Sequence, residues 1–265
     1  MYKKIFLILF SFFLINCESV TYDLVIKNGQ VFDGSGTDSK FVDIAITGNT
    51  IIKVGKINSE KSTRVIDASG LIVSPGFIDT HAHLDPMDNF IKLSDSESHV
   101  RQGVTTSFGG PDGRGVPLKY GFKQYLDTIE KVGVGMNVGF LTGHNKIRRL
   151  VMNLDNREPT NDELEIMKNL ASKAMDEGAF GISTGLKYLP GNFSKVDEVI
   201  AISKEISNKG GIYTSHLRDE GLKMKRVQKI SRSAQSINTR GNMYLSKRED
   251  RFLPNHWPVS YTHLR

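Results

Sequence analysis

The chain changes rhythm at Pro75-Gly76, and that change constrains the fold more than any other feature. Before it, short strand-like runs follow one another: Tyr22–Lys27, Val42–Thr47, Thr50–Val54, Arg64–Asp67 and Leu71–Val73. Asn28-Gly29 and Gly48-Asn49 stand between them as turn signals. Such a series predicts a small β-sandwich, or half of one. After the change, strands alternate with helices. Phe77–Asp79, Gly103–Ser107, Val134–Leu141, Phe180–Thr184 and Gly211–Ser215 read as strands, and Tyr120–Lys131, Asn161–Glu177 and Lys195–Lys209 as helices. Thr160 or Asn161 caps the second of these helices. Alternation at this spacing predicts parallel βα units. A closed βα barrel needs about eight strands and roughly 250 residues of its own, and five strands are countable by residue 215. The predicted class is α/β: an incomplete TIM-like (β/α) barrel preceded by a small β-sandwich subdomain.

The two ends of the chain read differently. Residues 1–17 begin with two lysines and continue into an apolar run that ends Leu14-Ile15-Asn16-Cys17. A basic start followed by an apolar stretch too short to span a bilayer comfortably is a secretory leader. Its end resembles a bacterial lipobox, whose cysteine carries the lipid of the mature protein, although Asn16 departs from the usual small residue. Cys17 is the only cysteine, so no intramolecular disulfide forms. The expectation is a lipoprotein-type signal peptide lipidated at Cys17. It implies an exported, membrane-anchored protein on the periplasmic or outer-membrane side of a bacterium.

Composition is that of an ordinary globular chain, 38% hydrophobic and 24% charged over 265 residues. The net charge of +6 misleads: residues 222–265 hold ten Lys/Arg against two Asp/Glu, so the body is close to neutral. Nothing in that body predicts a nucleic-acid partner. The expected boundaries are the leader at 1–17, the sandwich subdomain at 18–76, a partial barrel at 77–224, and an atypical basic tail at 225–265. The tail reads as non-native or disordered; the alternative is a basic arm for an acidic membrane or partner.

Chemistry collects at the ends of the barrel strands. His81 and His83 follow the first, in Phe77-Ile-Asp-Thr-His-Ala-His83. Residues at i and i+2 of extended chain share a face, so two imidazoles can approach one divalent metal from one side. A His-x-His alone is as readily a surface pair beside a turn. The second strand runs into Gly109–Gly115, the third into Gly143–Arg148, the fourth into Ser183–Gly191 and the fifth into His216–Gly221. Polar residues at strand C-termini are what a barrel active site presents.

Asp23-Leu-Val-Ile-Lys-Asn-Gly-Gln-Val-Phe-Asp-Gly34 followed by Val73-Ser-Pro-Gly-Phe-Ile-Asp-Thr-His-Ala-His83 resembles the amidohydrolase superfamily of metal-dependent hydrolases. Gly103-Val-Thr-Thr106, Gly178-Ala-Phe-Gly-Ile-Ser-Thr-Gly185 and Tyr213-Thr-Ser-His-Leu-Arg-Asp-Glu-Gly221 are similar to its D-aminoacylase branch, the N-acyl-D-amino-acid deacylases. The resemblance covers roughly residues 22–224 and implies a distorted TIM barrel with a sandwich built from both chain ends. It implies that His81, His83 and His216 hold one or two zinc ions. The position that is commonly a cysteine in this branch falls at Asp112, which as an oxygen donor still suits zinc; the other reading of Asp112 is an Asx-type turn residue in a Gly-rich loop. Lys187 competes for the bridging role, since related enzymes carboxylate a lysine near that strand end; it reads equally as a solvated loop lysine. His144 and Arg148 are either a helix-capping pair or substrate contacts. Arg218 either grips a substrate carboxylate or pairs with Asp219 or Glu220, and the pairing is preferred.

The implied reaction is amide hydrolysis of a small N-acyl amino acid by metal-activated hydroxide. The superfamily's proton-shuttling aspartate lies at the end of an eighth strand, and a further histidine ligand at the end of a sixth. The chain shows neither strand, and His256 and His263 follow no suitable strand. The expectation is therefore a truncated, inactive fragment of a hydrolase. The alternatives are a dihydroorotase- or hydantoinase-like cyclic-amide hydrolase and a noncatalytic binding lipoprotein.

Overall fold

The computed structural model describes residues 21–84, 87–116, 118 and 121–218. The leader, Cys17 and the basic tail at 225–265 lie outside the described residues. The described chain forms two compact units that divide after Ser74.

The first unit is one sheet. β1 (Tyr22–Val31) pairs antiparallel with β2 (Lys40–Thr47), which pairs antiparallel with β3 (Thr50–Gly55) across Gly48-Asn49. β4 (Ser62–Asp67) and β5 (Ile72–Val73) run parallel to β1. Val25, Ala45 and Ile57 pack together on the buried side, with Tyr22 against them.

Asn28-Gly29 does not turn the chain. β1 runs through it as a bulge, with Asn28 in the left-handed region at φ 62°. Asp43 explains why. Its carboxylate accepts from Asn28 N at 3.1 Å, Ile57 N at 3.0 Å and Lys27 Nζ at 2.9 Å. The amide freed by the bulge thus has a charged acceptor, and the strand continues. Burial opposes ionisation of Asp43, but these donors outweigh it and hold the carboxyl below its ordinary range.

The second unit alternates strands and helices. β6 (Phe77–Asp79) is followed by α1 (Met87–Lys92) and α2 (Glu97–Val100), then β7 (Val104–Gly109) and α3 (Phe122–Val132). β8 (Asn137–Phe140) and β9 (Thr142–Gly143) lead directly into α4 (His144–Met152) and α5 (Asn161–Asp176). β10 (Gly181–Gly185), α6 (Val196–Asn208) and β11 (Ile212–His216) complete it. The strands pair parallel as β6-β7-β8 and as β9-β10-β11. This is a mixed α/β fold.

α3 and α5 form where an apolar stripe and a cap coincide. α3 buries Phe122, Tyr125 and Ile129, one face of a 3.6-residue period. Its first amides are capped from a distance: Glu177, just past α5, accepts from Phe122 N at 2.8 Å and Lys123 N at 3.2 Å. Thr160 is the cap of α5, in a capping box with Glu163. α5 and α6 bury Met167, Ala171, Ala174, Met175, Ile202 and Ile206 in the same core as Ile182 of β10 and Phe140 of β8. Phe140 meets Tyr125 edge to face at 5.3 Å and Phe90 at 6.1 Å. That core fixes the strand ends from which the site is built.

Candidate metal centre

His81 and His83 lie just past β6 rather than in it. Ala82 N donates to Phe108 O at 3.0 Å, so the segment stays extended along β7. Ala82 and Leu84 are buried while His81 and His83 are exposed, so the two rings share one face as the i, i+2 spacing requires. Their centroids are 5.3 Å apart.

Asp112 comes from the loop after β7 and is buried. Its Oδ1 lies 3.6 Å from His81 Nε2, and its Oδ2 lies 3.2 Å from His83 Nε2. These three side chains form the group of metal-ligating type among the described residues. From the other side, His216 at the end of β11 points Nδ1 at Asp112 Oδ1, 3.5 Å away. Tyr188 packs on the His216 ring at 4.7 Å. One carboxylate is therefore shared by imidazoles from two different strands.

The donor set fits a divalent metal. Asp112 Oδ1 is buried and accepts no hydrogen bond, an arrangement that costs free energy unless a cation balances the charge. Metal–ligand bonds of about 2.0–2.1 Å at tetrahedral angles put ligand atoms about 3.3 Å apart. The observed separations, 3.2–3.6 Å, bracket that value.

Residues 64–223 match the model of the amidohydrolase family. The chain belongs to this family. It is 33% identical to D-aminoacylase of Alcaligenes xylosoxydans xylosoxydans, over 77% of this chain and 46% of that protein. It is 32% identical to N-acyl-D-glutamate deacylase of the same organism, over 75% of this chain and 44% of that protein. Among solved structures, D-aminoacylase superposes with a TM-score of 0.74 at 31% identity, covering 81% of this chain and 50% of that one. The N-acyl-D-glutamate deacylase of Bordetella bronchiseptica, solved with zinc and a phosphonate mimic of the tetrahedral intermediate, gives 0.74 at 28%, covering 83% and 49%. The chain thus spans about half the length of the relatives it matches.

Among the described residues, no ion pair joins the remaining expected residues to Asp112. Lys187 is exposed on the turn after β10, and no ion pair ties it to Asp112 among the described residues. His144 and Arg148, expected either to cap a helix or to touch substrate, are buried at the start of α4 and turned to Glu198 of α6. His144 Nε2 lies 2.9 Å from Glu198 Oε1, and Arg148 pairs with Oε2 and donates to Arg157 O at 2.6 Å. Arg218 donates to the carbonyls of Asn192 and Ser194, at 2.5 and 2.9 Å. Its expected partners Asp219 and Glu220 lie outside the described residues.

Sequence reasoning missed Ser183 and Asn145. Ser183 Oγ accepts from Gly113 N at 2.9 Å, and Asn145 Oδ1 accepts from Gly185 N at 3.0 Å. Both sit in strand-end segments already flagged as polar, but no spacing rule marks a buried hydroxyl or amide as a brace.

Proposed function

We propose that this chain carries the metal-binding part of an N-acyl-D-amino-acid deacylase. His81, His83, Asp112 and His216 are the ligands of one or two zinc ions in this reading. The observation that carries it is the buried Asp112 carboxylate faced by three imidazole nitrogens at 3.2–3.6 Å. The family match and the deacylase relatives support the substrate class. Zinc in one related structure and a binuclear metal centre in D-aminoacylase support the cofactor.

When bound, the metal supplies Lewis acidity toward an acyl carbonyl and a water acidified to a pKa of about 7. The chain's own part is to hold the donors. His81 and His83 present nitrogens on the exposed face, where a small acyl amino acid has access. Asp112 contributes the negative charge that balances the cation. It is the only carboxylate of the cluster among the described residues. It is engaged by the histidines, so in this reading the proton-shuttling carboxylate is a different residue. In this reading the chain binds metal without turning substrate over.

The finer architecture follows the same proposal. β6 to β11 are the opening strands of a TIM-like barrel, and the first unit is half of a composite sandwich. Phe41, Ile51, Ile52, Val54 and Val65 of that unit are large apolar residues left exposed, as a sheet awaiting a covering layer would leave them. The lipid anchor at Cys17, and with it the exported location, rests on the leader pattern alone.

The decisive experiment has two parts. Zinc content of the purified chain separates a metal protein from a noncatalytic lipoprotein. N-acetyl-D-amino acids, their L enantiomers and hydantoins are then offered to a protein carrying the whole barrel. Release of the D-amino acid alone is expected, whereas turnover of hydantoins alone would move the assignment to cyclic-amide hydrolysis.

A further inference from the structure

Asp112 and Gly113, at φ 57° and 74°, are the central pair of the turn Pro111-Asp112-Gly113-Arg114, which Arg114 N closes by donating to Pro111 O at 3.0 Å. Positive φ at both central positions is what a type I′ turn demands, and aspartate tolerates it better than most residues. The hydroxyl of Ser183 adds a second tie across the same segment, between Gly110 and Gly113. It donates to Gly110 O at 2.6 Å and accepts from Gly113 N at 2.9 Å. One fully buried side chain thus braces the turn on which the carboxylate stands.

The same hydroxyl ties that turn to the strands behind His216. Ser183 lies in β10 opposite Thr214 of β11, and Gly185, two residues on, is opposite His216 itself. The approach is close: a Cβ on Gly185 would lie 2.2 Å from Asp112 O, and one on Gly113 would lie 2.0 Å from Asn145 Oδ1. Asn145 in turn clamps Gly185 through its N–H and its carbonyl, at 3.0 and 2.9 Å. Nothing larger than hydrogen fits at either glycine, so the Ser183 bridge sets where the turn rests.

We propose that Ser183 is the positioning residue of the centre: its hydroxyl fixes the Asp112 turn on β10, so that the carboxylate faces His216 on one side and His81 and His83 on the other. The proposal rests on reading this cluster as a metal site. It gives Ser183 no contact with metal or substrate. Its effect is transmitted through Asp112 alone.

The test is a Co²⁺ titration of the 265-residue chain, followed by visible absorption, with circular dichroism as the check of folding. The unmodified chain is expected to bind Co²⁺ and develop ligand-field bands. Ser183→Ala is expected to bind at least about ten-fold more weakly with an altered spectrum, and Ser183→Thr, which keeps the hydroxyl, to recover most of both. In an Asp112→Ala background, Ser183→Ala is expected to cause no further loss of the weaker binding the histidines retain. Wild-type affinity and spectrum in Ser183→Ala would overturn the proposal, as would an equal loss with and without Asp112. If Ser183→Ala does not fold, Ser183→Cys, which keeps the volume with a weak donor, is judged by the same criteria. If neither folds, Ser183 serves the fold rather than the centre, and the proposal is wrong. Absence of Co²⁺ binding by the unmodified chain instead overturns the metal reading itself.

Discussion

Glu198 of α6 holds Arg148 of α4 in an ion pair from which water is excluded, and its second oxygen meets His144 Nε2 at 2.9 Å. Burial alone raises the pKa of such a carboxyl, but the hydrogen bonds and charges of His144 and Arg148 outweigh it and leave Glu198 below its ordinary range. The pair therefore ties two helices of the second unit together only while Glu198 is ionised.

Removing one partner of a buried pair strands the other charge, which typically costs about 3–5 kcal/mol. Glu198→Ala is expected to lose a stability of that order in urea unfolding followed by circular dichroism. Replacing Arg148 by Met in the same chain removes the stranded cation and is expected to recover part of it. A single substitution that loses less than about 1 kcal/mol would show that the pair is not a structural tie.

At the surface, Glu163 closes the capping box of α5 and takes a two-pronged hydrogen bond from Arg157, at 2.7 Å on each oxygen. Arg157 first, and then the Thr160 amide, lower its pKa to about 2. A depressed carboxyl contributes stability that is fully present above its unfolded pKa, about 4.3, and is lost as pH falls through the folded value. The contribution is thus intact at neutral pH and disappears between roughly pH 4 and pH 2. Carboxyl chemical shifts followed by NMR should put the Glu163 midpoint near 2, and Arg157→Ala should move it up toward the ordinary value.

Phe140 is nearly fully buried and takes ring edges from Tyr125 and Phe90. Phe140→Ala removes those contacts and leaves a cavity between the β8 strand and two helices. A loss of about 3–5 kcal/mol is expected, measurable as a lowered urea midpoint. Exposed Phe41, by contrast, should tolerate alanine within about 0.5 kcal/mol in the chain as it stands.

These particulars also show what was legible before the structure. The parallel strands and the three long helices were, because each carries its own period and bounding glycines or caps. The start of α5 is legible only as Thr160 or Asn161, and the capping box with Glu163 decides for Thr160. Asn28-Gly29 misled, because the same left-handed preference serves a turn or a bulge, and the choice was made by Asp43 from a neighbouring strand. His81, His83, Asp112 and His216 were flagged by residue type and by resemblance, but that one carboxylate lies between them is a property of the folded register. Glu198 was invisible as the partner of His144 and Arg148, since fifty or so residues separate them and a lone glutamate on a helix reads as solvated.

A ligand that binds only the folded chain stabilises it by about 2.7 kcal/mol at a hundred times its dissociation constant. Zinc added to the metal-free chain should therefore raise the thermal midpoint, and EDTA should reverse the rise. His83→Ala and Asp112→Asn should abolish most of that rise, since each removes a donor from the cluster. Lys187→Ala should leave it unchanged, because that ammonium is exposed on the turn after β10. A rise lost in Lys187→Ala and kept in Asp112→Asn would restore lysine to the bridging position and remove Asp112 from it.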